Sequence, residues 1–363
     1  MANKTIPDEM LCVIAHGPKD YRLERKRTPR PGAGELLVKI TACGVCGSDI
    51  HAYHGAPSYW GSEKMAAWMK APVTPGHEFF GEVTEVGEGA AERFGVEVGD
   101  RVIAEQIVPC NKCKYCVEGD YHLCMVHNMY GFQKDVAEGG MAEYMRFGTA
   151  SKVHKIPPSV TLEEAAVIEP LACSLHAVDR ASIGFGDFVV VAGAGPIGLF
   201  IIQLVHLKTP KKLLVLDVNE KRLEVARALG ADLTMNPARE DAVKNVLELT
   251  GGYGCEVYIE ASGSPIGVTQ GLSMLRKKGR FVEFSVFSKE TSLDWSVIGE
   301  KKELDVLGAH ISPNTYPIAI DLLSRKLIKT QGIVTHKFPL ADFKTAFQQA
   351  EKLDESVKVL LLP

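Results

Sequence analysis

The stretch FVVVAGAGPIGLFIIQLV, residues 188–205, places a glycine-rich turn between an apolar strand and an apolar helix. The run is shorter than the roughly 20 residues of a membrane-spanning helix, and glycine and proline interrupt it. The turn reads GAGPIG, and Asp217 follows it at the end of the next predicted strand. A G-x-G-x-x-G turn between strand and helix, followed about 20 residues later by an acidic residue, is typical of a dinucleotide-binding unit.

Each part of this turn would have a physical role in such a site. The first glycine permits the tight turn, the second lets the backbone approach a pyrophosphate, and the third lets helix and strand pack closely. The helix N-terminus attracts phosphate charge. The Asp217 carboxylate would accept hydrogen bonds from the adenosine ribose and repel a 2′-phosphate, which favours NAD over NADP. A tight turn without a ligand is the alternative. The predicted cofactor-binding residues are Gly193, Gly195, Pro196, Ile197, Gly198, Asp217 and Arg222.

The segments around this turn alternate between strand and helix patterns. Strand-like segments at DFVVVAG, KLLVLD, CEVYIEASG and RFVEFSV are separated by helix-like segments at PIGLFIIQLVHLK, NEKRLEVARALG and PIGVTQGLSMLRKKG. Thr161 is a predicted helix N-cap, because Glu163 and Glu164 follow it where the first turn of a helix favours acid. Strands alternating with helices predict a doubly wound parallel sheet of the Rossmann type over residues 161–309.

Residues 1–160 have a different character, with many glycines and short extended runs such as ELLVKITACGV and GDRVIAE. We predict that this part is mostly β. A chain of 363 residues is long enough for two domains. Residues 310–363 contain two amphipathic helical patterns and the strand-like SVKVLLLP, and we predict that they return to the first domain.

The composition is ordinary for a soluble globular protein, with 46% hydrophobic and 24% charged residues. The chain has 41 basic and 45 acidic residues, a net charge of −4. This balance gives no electrostatic reason to expect nucleic acid or an anionic membrane as a partner. The N-terminal MANKTIPDEM lacks the apolar core of a secretory signal, so we expect a cytoplasmic protein.

Four of the nine cysteines lie in CNKCKYCVEGDYHLC, residues 110–124, which we call the cysteine lobe. Cytosolic thiols stay reduced, so such a cluster more often binds metal than forms disulfides. Four thiolates saturate a tetrahedral zinc and leave no position for substrate, which predicts a structural zinc site. Incidental clustering, an iron–sulfur cluster and a nucleic-acid-binding zinc module are the alternatives. The predicted ligands are Cys110, Cys113, Cys116 and Cys124.

Five motifs occur in the order GVCGSDIH, GHE, the cysteine lobe, IEPLACSLHA and GAGPIG. In this combination, and over nearly the whole chain, the sequence resembles the zinc-dependent medium-chain alcohol and polyol dehydrogenases, and it looks closest to their sorbitol, threonine and small-polyol branch. The resemblance implies an α/β fold, in which a Rossmann doubly wound parallel sheet is joined to a mostly β GroES-like catalytic domain. It also implies zinc and NAD as cofactors.

The resemblance further implies a catalytic zinc site. Cys46 and His77 match the first two zinc ligands of the family, and Glu78 matches a glutamate that ligates or lies close to the metal. Glu169 sits where many alcohol dehydrogenases have a second ligating cysteine, and a glutamate there is typical of the polyol branch. Two nearby cysteines match no ligand position and are predicted to be structural: Cys43 and Cys173.

The charge of this site limits how the two glutamates can act. One thiolate and two carboxylates around Zn²⁺ would sum to −1, and such a site would be a poorer Lewis acid. We therefore predict that Glu78 and Glu169 do not both bind the metal throughout the reaction. Asp49 is predicted to hold the free ring nitrogen of His77, as ligating histidines generally require.

The reaction that the resemblance implies is the NAD-linked oxidation of a secondary alcohol, with zinc lowering the pKa of the substrate hydroxyl. Ser48 matches the hydroxyl that takes the substrate proton, and His51 matches the histidine that passes it to solvent through the nicotinamide ribose. With Glu169 in place, we expect a small polyol, a tetritol to hexitol such as threitol or erythritol, and a ketose product. L-Threonine is the alternative substrate, and a non-catalytic NAD-binding relative is the alternative to an enzyme.

The connection from 52 to 76 looks longer than the family pattern and is rich in aromatic residues. Two interpretations stay open: a loop that packs on itself or on a neighbouring subunit, or a rim that narrows the substrate pocket. The resemblance also implies a homo-dimer or homo-tetramer, joined partly through the edge of the cofactor-domain sheet. RFVEFSVF, residues 280–287, is the predicted interface strand. The aromatic residues of the connection are Tyr53, Tyr59, Trp60 and Trp68.

Overall fold

A computed structural model of the protein describes residues 5–287 and 289–363. These residues form two compact units. The first unit takes in the chain up to Glu169, together with Tyr316–Arg325 and Thr330–Pro363, and the second takes in Pro170–Thr315 and Lys326–Lys329. None of the helices in the described part of the chain is long and apolar enough to cross a bilayer.

The first unit is mostly β. Numbered along the chain, its strands are β1 (Glu9–Gly17), β2 (Asp20–Arg27), β3 (Leu36–Val45), β4 (Glu78–Val86), β5 (Arg101–Ala104), β6 (Ile107–Val108), β7 (Asn128–Met129), β8 (Tyr144–Phe147), β9 (Val153–Lys155), β16 (Val334–Pro339) and β17 (Lys358–Leu362). Its helices are α1 (Gly47–Tyr53), α2 (Pro57–Trp60), α3 (Ala90–Phe94), α4 (Lys114–Glu118), α5 (Leu162–Ala165), α11 (Tyr316–Ser324) and α12 (Phe343–Glu351).

The largest sheet of the first unit brings three distant segments to one place. Its strands follow the order β16-β17-β3-β4-β5-β9, and β8 also pairs with β3. Strand β3 lies antiparallel to both β4 and β17, with Gly44 opposite Glu78 and Val45 opposite Val359. The C-terminal end of β3 therefore meets the start of β4 and the start of β17. The pairing collects side chains from three segments that are far apart in the sequence.

The second unit is built on a six-stranded parallel sheet. Its strands are β10 (Phe188–Ala192), β11 (Lys212–Leu216), β12 (Leu233–Met235), β13 (Cys255–Glu260), β14 (Leu275–Glu283) and β15 (Asp305–Gly308). Its helices are α7 (Pro196–Leu207), α8 (Glu220–Ala228), α9 (Ala242–Leu249) and α10 (Pro265–Met274), and α6 (Ile168–Ala181) enters it from the first unit. The strand order β12-β11-β10-β13-β14-β15 is that of a doubly wound dinucleotide-binding sheet, as predicted.

Burial explains why residues 188–205 are so apolar. Every residue of β10 is buried, which fits a central parallel strand covered on both faces. Eight consecutive residues of α7, Gly198–Val205, are also buried, as expected for a helix that is apolar on all sides. The predicted N-cap is confirmed as well: the Thr161 hydroxyl accepts the Glu164 N–H, and the Glu164 side chain accepts the Thr161 N–H.

Two predictions about the sheet of the second unit were wrong. Helix α10 ends at Met274, and the segment LRKKG after it already belongs to β14, with Lys278 in the left-handed region at φ +58°. The strand proposed as a subunit interface ends at Glu283, and β14 lies between β13 and β15, so it is not an edge strand. The segment is apolar because β14 is an interior strand of the sheet, paired with β13 on one side and with β15 on the other. The edge on this side is β15.

Candidate functional site

Three side chains with metal-binding atoms converge at the strand ends of the first unit. Cys46 follows β3 and caps α1, His77 directly precedes β4, and Glu78 is the first residue of β4. One donor atom of each lies within 4.8 Å of the other two, and His77 and Glu78 are buried. Gly44 makes room for this arrangement, because a Cβ there would lie 2.1 Å from the Glu78 carboxylate. A soft thiolate, an imidazole and a carboxylate form a donor set that suits zinc.

His77 is oriented by its neighbours on α1. Its Nε2 lies 3.3 Å from the Ser48 hydroxyl, and its Nδ1 faces Asp49 Oδ1 at 3.6 Å, slightly beyond a hydrogen bond. Asp49 Oδ2 accepts the Cys46 N–H at 2.9 Å, which fixes the carboxylate. Burial alone would lower the pKa of His77, but the Asp49 carboxylate outweighs it and raises the pKa. A more basic imidazole is a better metal ligand, so the Asp49 placement fits a metal at Nε2.

A buried lysine neutralises Glu78. Lys358, the first residue of β17, donates to both carboxylate oxygens of Glu78 at 2.7 and 2.6 Å and to the Val45 carbonyl at 3.3 Å. The side chains of Lys358 and Glu78 are only 3% and 1% exposed, so the pair has little access to water. Burial alone would lower the pKa of Lys358, but Glu78 raises it, which keeps the ammonium charged at neutral pH. Lys358 was not among the predicted site residues.

Glu169, on the first turn of α6, is held by a neutral amide. Gln106 Nε2 donates to Glu169 Oε1 at 2.7 Å, and both residues are buried. Glu169 is not part of the convergent group of Cys46, His77 and Glu78. The two glutamates therefore differ: Glu78 has a charged partner and lies within the group, whereas Glu169 lies outside it with an amide partner.

The two residues predicted to carry the proton lie on the same helix. Ser48 is half-buried near His77, and His51 is exposed in the last turn of α1. Among the described residues, no hydrogen bond joins the His51 ring to the Ser48 hydroxyl. Ser48 is therefore brought to the candidate metal site, whereas a link from it to His51 stays a prediction.

The four cysteines of the lobe come together as predicted. Cys110 Sγ and Cys116 Sγ are 3.9 Å apart, and Cys113 Sγ and Cys116 Sγ are 3.5 Å apart. Zinc–sulfur bonds of about 2.3 Å in a tetrahedron place the sulfurs about 3.8 Å apart, so the spacing fits a zinc ion and excludes disulfides. Hydrogen bonds from the Met125 and Cys116 backbone lower the pKa of Cys113 to about 6, whereas burial raises the pKa of Cys116 to about 12. A thiolate at neutral pH favours a bound dication.

Apart from Cys46 and the four cysteines of the lobe, the cysteines belong to no metal-binding group among the described residues. Cys43 is fully buried on β3, and burial raises the pKa of its thiol well above the ordinary value. Cys173 is buried on α6. Both positions are those of small core residues.

In the second unit, the glycine-rich turn follows β10 and leads into α7. Gly193 has a φ of +98°, and a Cβ on Gly198 would lie 1.9 Å from the Gly193 carbonyl, so both positions require glycine. A Cβ on Gly195 would meet nothing closer than Arg222 Nη1 at 3.9 Å. The structure thus leaves room beside Gly195 at the N-terminus of a twelve-residue helix, which fits a phosphate group. Pro196 and Ile197 form the first turn of this helix.

Asp217 closes the other side of the turn. Its Oδ2 accepts the Ala194 N–H at 2.7 Å, and its Oδ1 accepts the Asn219 N–H at 2.8 Å. A carboxylate has about four acceptor positions, so two remain after these bonds. The carboxylate can therefore stabilise the turn and still accept hydrogen bonds from a ribose.

Part of the connection from 52 to 76 packs beside the candidate metal site. The Trp68 ring lies 4.9 Å from the Phe132 ring, Tyr59 stacks on Phe132 at 5.6 Å, and Phe132 lies 5.5 Å from the His77 ring. We call Tyr59, Trp68 and Phe132 the aromatic wall. Tyr53 instead packs in the first unit against Tyr21 and Phe347. The connection thus packs on its own unit and places two of its aromatic rings near His77.

Three buried polar residues around this site were missed by the sequence analysis: Lys358, Gln106 and Tyr316. Only Lys358 gave a signal, because a lysine at the start of the apolar strand VLLL is unusual. Gln106 and Tyr316 occur in segments with no recognisable motif.

Comparisons with known proteins match both parts of the chain. The family model described as "Alcohol dehydrogenase GroES-like domain" matches residues 32–158, and the one described as "Zinc-binding dehydrogenase" matches residues 196–325. Together these matches span well over half of the sequence.

Individual relatives cover the chain from end to end. An erythritol/L-threitol dehydrogenase of Mycolicibacterium smegmatis is 47% identical over 363 residues, which is 100% of both chains. A sorbitol dehydrogenase of Halalkalibacterium halodurans is 37% identical and covers 97% of this chain and 98% of its own length. Among solved structures, a zinc-binding dehydrogenase from Sinorhizobium meliloti bound to NADP has a TM-score of 0.88 and 28% identity, covering 98% of this chain and 100% of its own.

Proposed function

The chain belongs to the zinc-dependent medium-chain alcohol and polyol dehydrogenase family, and we propose that it oxidises a secondary hydroxyl of a small polyol to a ketose, with NAD as the hydride acceptor. The observation that carries the proposal is the 47% identity, over the whole chain, with an erythritol/L-threitol dehydrogenase. The convergence of Cys46, His77 and Glu78 supports it, because the donor set required for the chemistry is assembled.

In this proposal, Cys46, His77 and Glu78 hold the catalytic metal, and Glu169 lies outside this inner set. Bound zinc would lower the pKa of a substrate hydroxyl, and NAD would accept the hydride. The charge of Lys358 balances the carboxylate of Glu78. Counting Zn²⁺ as +2, Lys358 as +1, and Cys46 and Glu78 as −1 each, the inner site carries a net charge of +1. A site with residual positive charge is a stronger Lewis acid than the neutral site that the same charges would give if Glu169 also bound the ion.

The chain's own residues then position the substrate and its proton. Ser48, 3.3 Å from His77 Nε2, presents a hydroxyl at the candidate metal site and can accept the proton from a substrate hydroxyl while donating its own. His51 completes the proposed path to solvent from its exposed position on α1. Cys110, Cys113, Cys116 and Cys124 hold a second zinc, with no open coordination position.

A panel of substrates tests the proposal directly. NADH formation by the zinc-loaded protein is measured with erythritol, D- and L-threitol, pentitols, hexitols and L-threonine. We expect the highest kcat/KM with a four-carbon polyol and a ketose as product. A preference for L-threonine, or no NADH formation with any polyol, would contradict it.

The aromatic wall predicts how substrate length is limited. Replacing Trp68 with leucine removes the ring that packs on Phe132 and shortens the wall beside His77. We expect kcat/KM for a hexitol, relative to erythritol, to rise roughly tenfold, since one or two methylenes of pocket space are worth about 1–3 kcal/mol. Initial rates with both substrates measure the ratio.

The matched control for this variant is Trp60→Phe. Trp60 lies in the same connection, but its indole N–H donates to the Ala52 carbonyl. The ratio should stay within about twofold of wild type in the control, because the ring that packs on Phe132 is that of Trp68 and is retained. An equal ratio change in both variants would mean that the whole connection, rather than the wall, sets the preference.

The Asp217 carboxylate predicts the choice of cofactor. Asp217→Asn keeps an oxygen that can accept one of the two backbone N–H bonds but removes the charge. We expect the ratio of kcat/KM for NADP to that for NAD to rise about 10- to 100-fold, because hydrogen bonds to a charged group contribute about 1.5–3 kcal/mol. Steady-state kinetics with both cofactors measures it.

Asp232→Asn is the control for the cofactor prediction. Asp232 also accepts a backbone N–H, that of Leu213, but at the opposite end of β11. Its substitution should leave the cofactor ratio unchanged. An unchanged ratio in Asp217→Asn as well would show that another residue selects the cofactor.

The proposal also includes a cytoplasmic homo-dimer or homo-tetramer. Edge strand β15 supports an assembly of this kind, since the Val306 side chain on it is 48% exposed and its outer backbone edge is open among the described residues. An exposed strand edge can pair with a second copy. Native mass of the purified protein at micromolar concentration tests this part, and a monomer would contradict it.

A further inference from the structure

Gln106 lies at the centre of a buried polar chain that the family resemblance did not indicate. It has no exposed surface, and its amide joins two other buried side chains. Nε2 donates to Glu169 Oε1 at 2.7 Å, and Oε1 accepts from the Tyr316 hydroxyl at 2.8 Å. Both distances are those of good hydrogen bonds.

The chemistry of the partners fixes the direction of this amide. An ionised carboxylate only accepts hydrogen bonds, so the NH₂ group of Gln106 must face Glu169. The carbonyl oxygen must then face Tyr316, whose hydroxyl donates to it. Reversal of the amide would place two acceptors against each other at Glu169. The Glu169 carboxylate therefore determines the direction of the amide, and the Tyr316 hydroxyl supports it by donating to the Gln106 carbonyl oxygen.

The backbone beneath Gln106 is held from both sides. The Gln106 carbonyl accepts the Tyr130 N–H at 2.9 Å, and the Glu105 N–H donates to the Lys152 carbonyl at 2.9 Å. The Glu105 side chain accepts from the Tyr121 hydroxyl of the cysteine lobe at 2.7 Å and from His154 at 2.9 Å. The backbone of this segment is therefore held by hydrogen bonds, and strand β6 begins at the next residue. The Gln106 side chain starts from a fixed backbone, so its amide can set the position of the Glu169 carboxylate.

Glu169 has the charge and the proximity to act on the metal site but does not belong to the inner group. Its buried carboxylate is among the negative charges that act on Lys358, the partner of Glu78. Among the described residues, the convergent donors are nevertheless Cys46, His77 and Glu78, without Glu169. A carboxylate held outside this group leaves a coordination position for the substrate hydroxyl, whereas one released from Gln106 would compete for it.

We propose that Gln106 is a positioning residue that, supported by a hydrogen bond from Tyr316, holds the Glu169 carboxylate outside the inner ligand set of the catalytic metal. The inference rests on the proposed function for the identity of the metal site. It accounts for the different roles of two glutamates near one ion. It also assigns Tyr316, from the C-terminal part of the chain, an indirect role through Gln106.

The test uses the full-length protein with cobalt(II) in place of zinc, because cobalt absorption reports the ligands around the ion. In Gln106→Leu, Glu169 loses the hydrogen bond from Gln106 and can enter the coordination sphere. We expect altered visible absorption without substrate, slower loss of catalytic-site cobalt to a chelator, and a raised KM. If Glu169 occupies the substrate position nine-tenths of the time, KM for erythritol rises about tenfold while kcat changes little.

Two further variants separate positioning from folding. Tyr316→Phe keeps Gln106 but removes the hydroxyl that donates to its carbonyl oxygen, and we expect the same changes at smaller size. Tyr130→Phe is the matched control, because it removes a buried phenol hydrogen bond, to Ser151, in the same unit without touching the Gln106 side chain. Its absorption, metal loss and KM should equal those of wild type.

The outcomes are distinct. Faster metal loss with an unchanged KM in Gln106→Leu and Tyr316→Phe would mean a merely structural role and overturn the proposal. An absorption change that persists in the double variant Gln106→Leu/Glu169→Gln would also overturn the proposal, because that variant has a neutral amide in place of the carboxylate. The absorption and metal-loss measurements need no substrate, so they test Gln106 even if the protein proves inactive on polyols.

Discussion

Replacing Cys46 with serine is expected to lower kcat/KM for the best polyol by at least about a thousandfold. A thiolate binds zinc as an anion, whereas a serine hydroxyl is neutral at pH 7 and a weak zinc ligand. Loss of the ion removes the Lewis acid, which supplies several kcal/mol of stabilisation to developing negative charge. A loss of about 4 kcal/mol corresponds to a thousandfold. Steady-state kinetics and metal analysis of the same preparation measure both effects.

The metal count decides what that result means. The wild-type chain should carry two zinc ions, and Cys46→Ser should retain one, in the cysteine lobe. Cys43→Ala is the matched control, since Cys43 is a buried thiol on β3, three residues earlier and outside the convergent group. The control should keep two ions and its turnover. Full turnover of Cys46→Ser with a single ion per chain would remove the basis of the proposed mechanism.

Replacing Lys358 with methionine is expected to destabilise the metal-free first unit by roughly 3–5 kcal/mol, the usual cost of breaking a buried ion pair. The substitution leaves the Glu78 carboxylate without its ammonium partner at 1% side-chain exposure. Chemical denaturation followed by circular dichroism, with and without bound zinc, measures the change. The loss should be smaller in the zinc-loaded protein, because the ion supplies positive charge beside Glu78.

The double variant Glu78→Gln/Lys358→Met separates the charge from the packing. It removes both charges and should recover most of the stability lost in Lys358→Met. The expected loss is largest where Glu78 is ionised and becomes smaller toward acid pH, because protonation removes the unpaired buried charge. In the wild-type protein Glu78 raises the pKa of Lys358, so the contribution of the lysine is complete below its unfolded pKa and disappears only as pH rises through its higher folded pKa. A loss that grew toward acid pH, or no recovery in the double variant, would contradict the ion-pair explanation.

Local patterns in the sequence were sufficient for several parts of the structure. The GAGPIG turn, the C-x2-C-x2-C-x7-C spacing and the Thr161 cap each depend on residues that are close together in the chain. Their geometry follows from short-range rules for φ, hydrogen bonding and reach, so residue spacing alone predicts it. The two misplaced features, the end of α10 and the role of β14, failed where strand pairing overrides local helix and strand preference.

The sequence by itself determined the sheet type, the cysteine lobe and the candidate ligands Cys46, His77 and Glu78, with the family resemblance supplying the ligand roles. Only the tertiary structure decided which buried charges those ligands meet. Lys358 reaches Glu78 across 280 positions because β17 pairs with β3, and Gln106 reaches Glu169 across 63 positions from the start of β6. A buried carboxylate requires a partner, but no local rule states which distant residue supplies it. Strand pairing decides this, because it fixes which segments of the chain meet in the same low-dielectric interior.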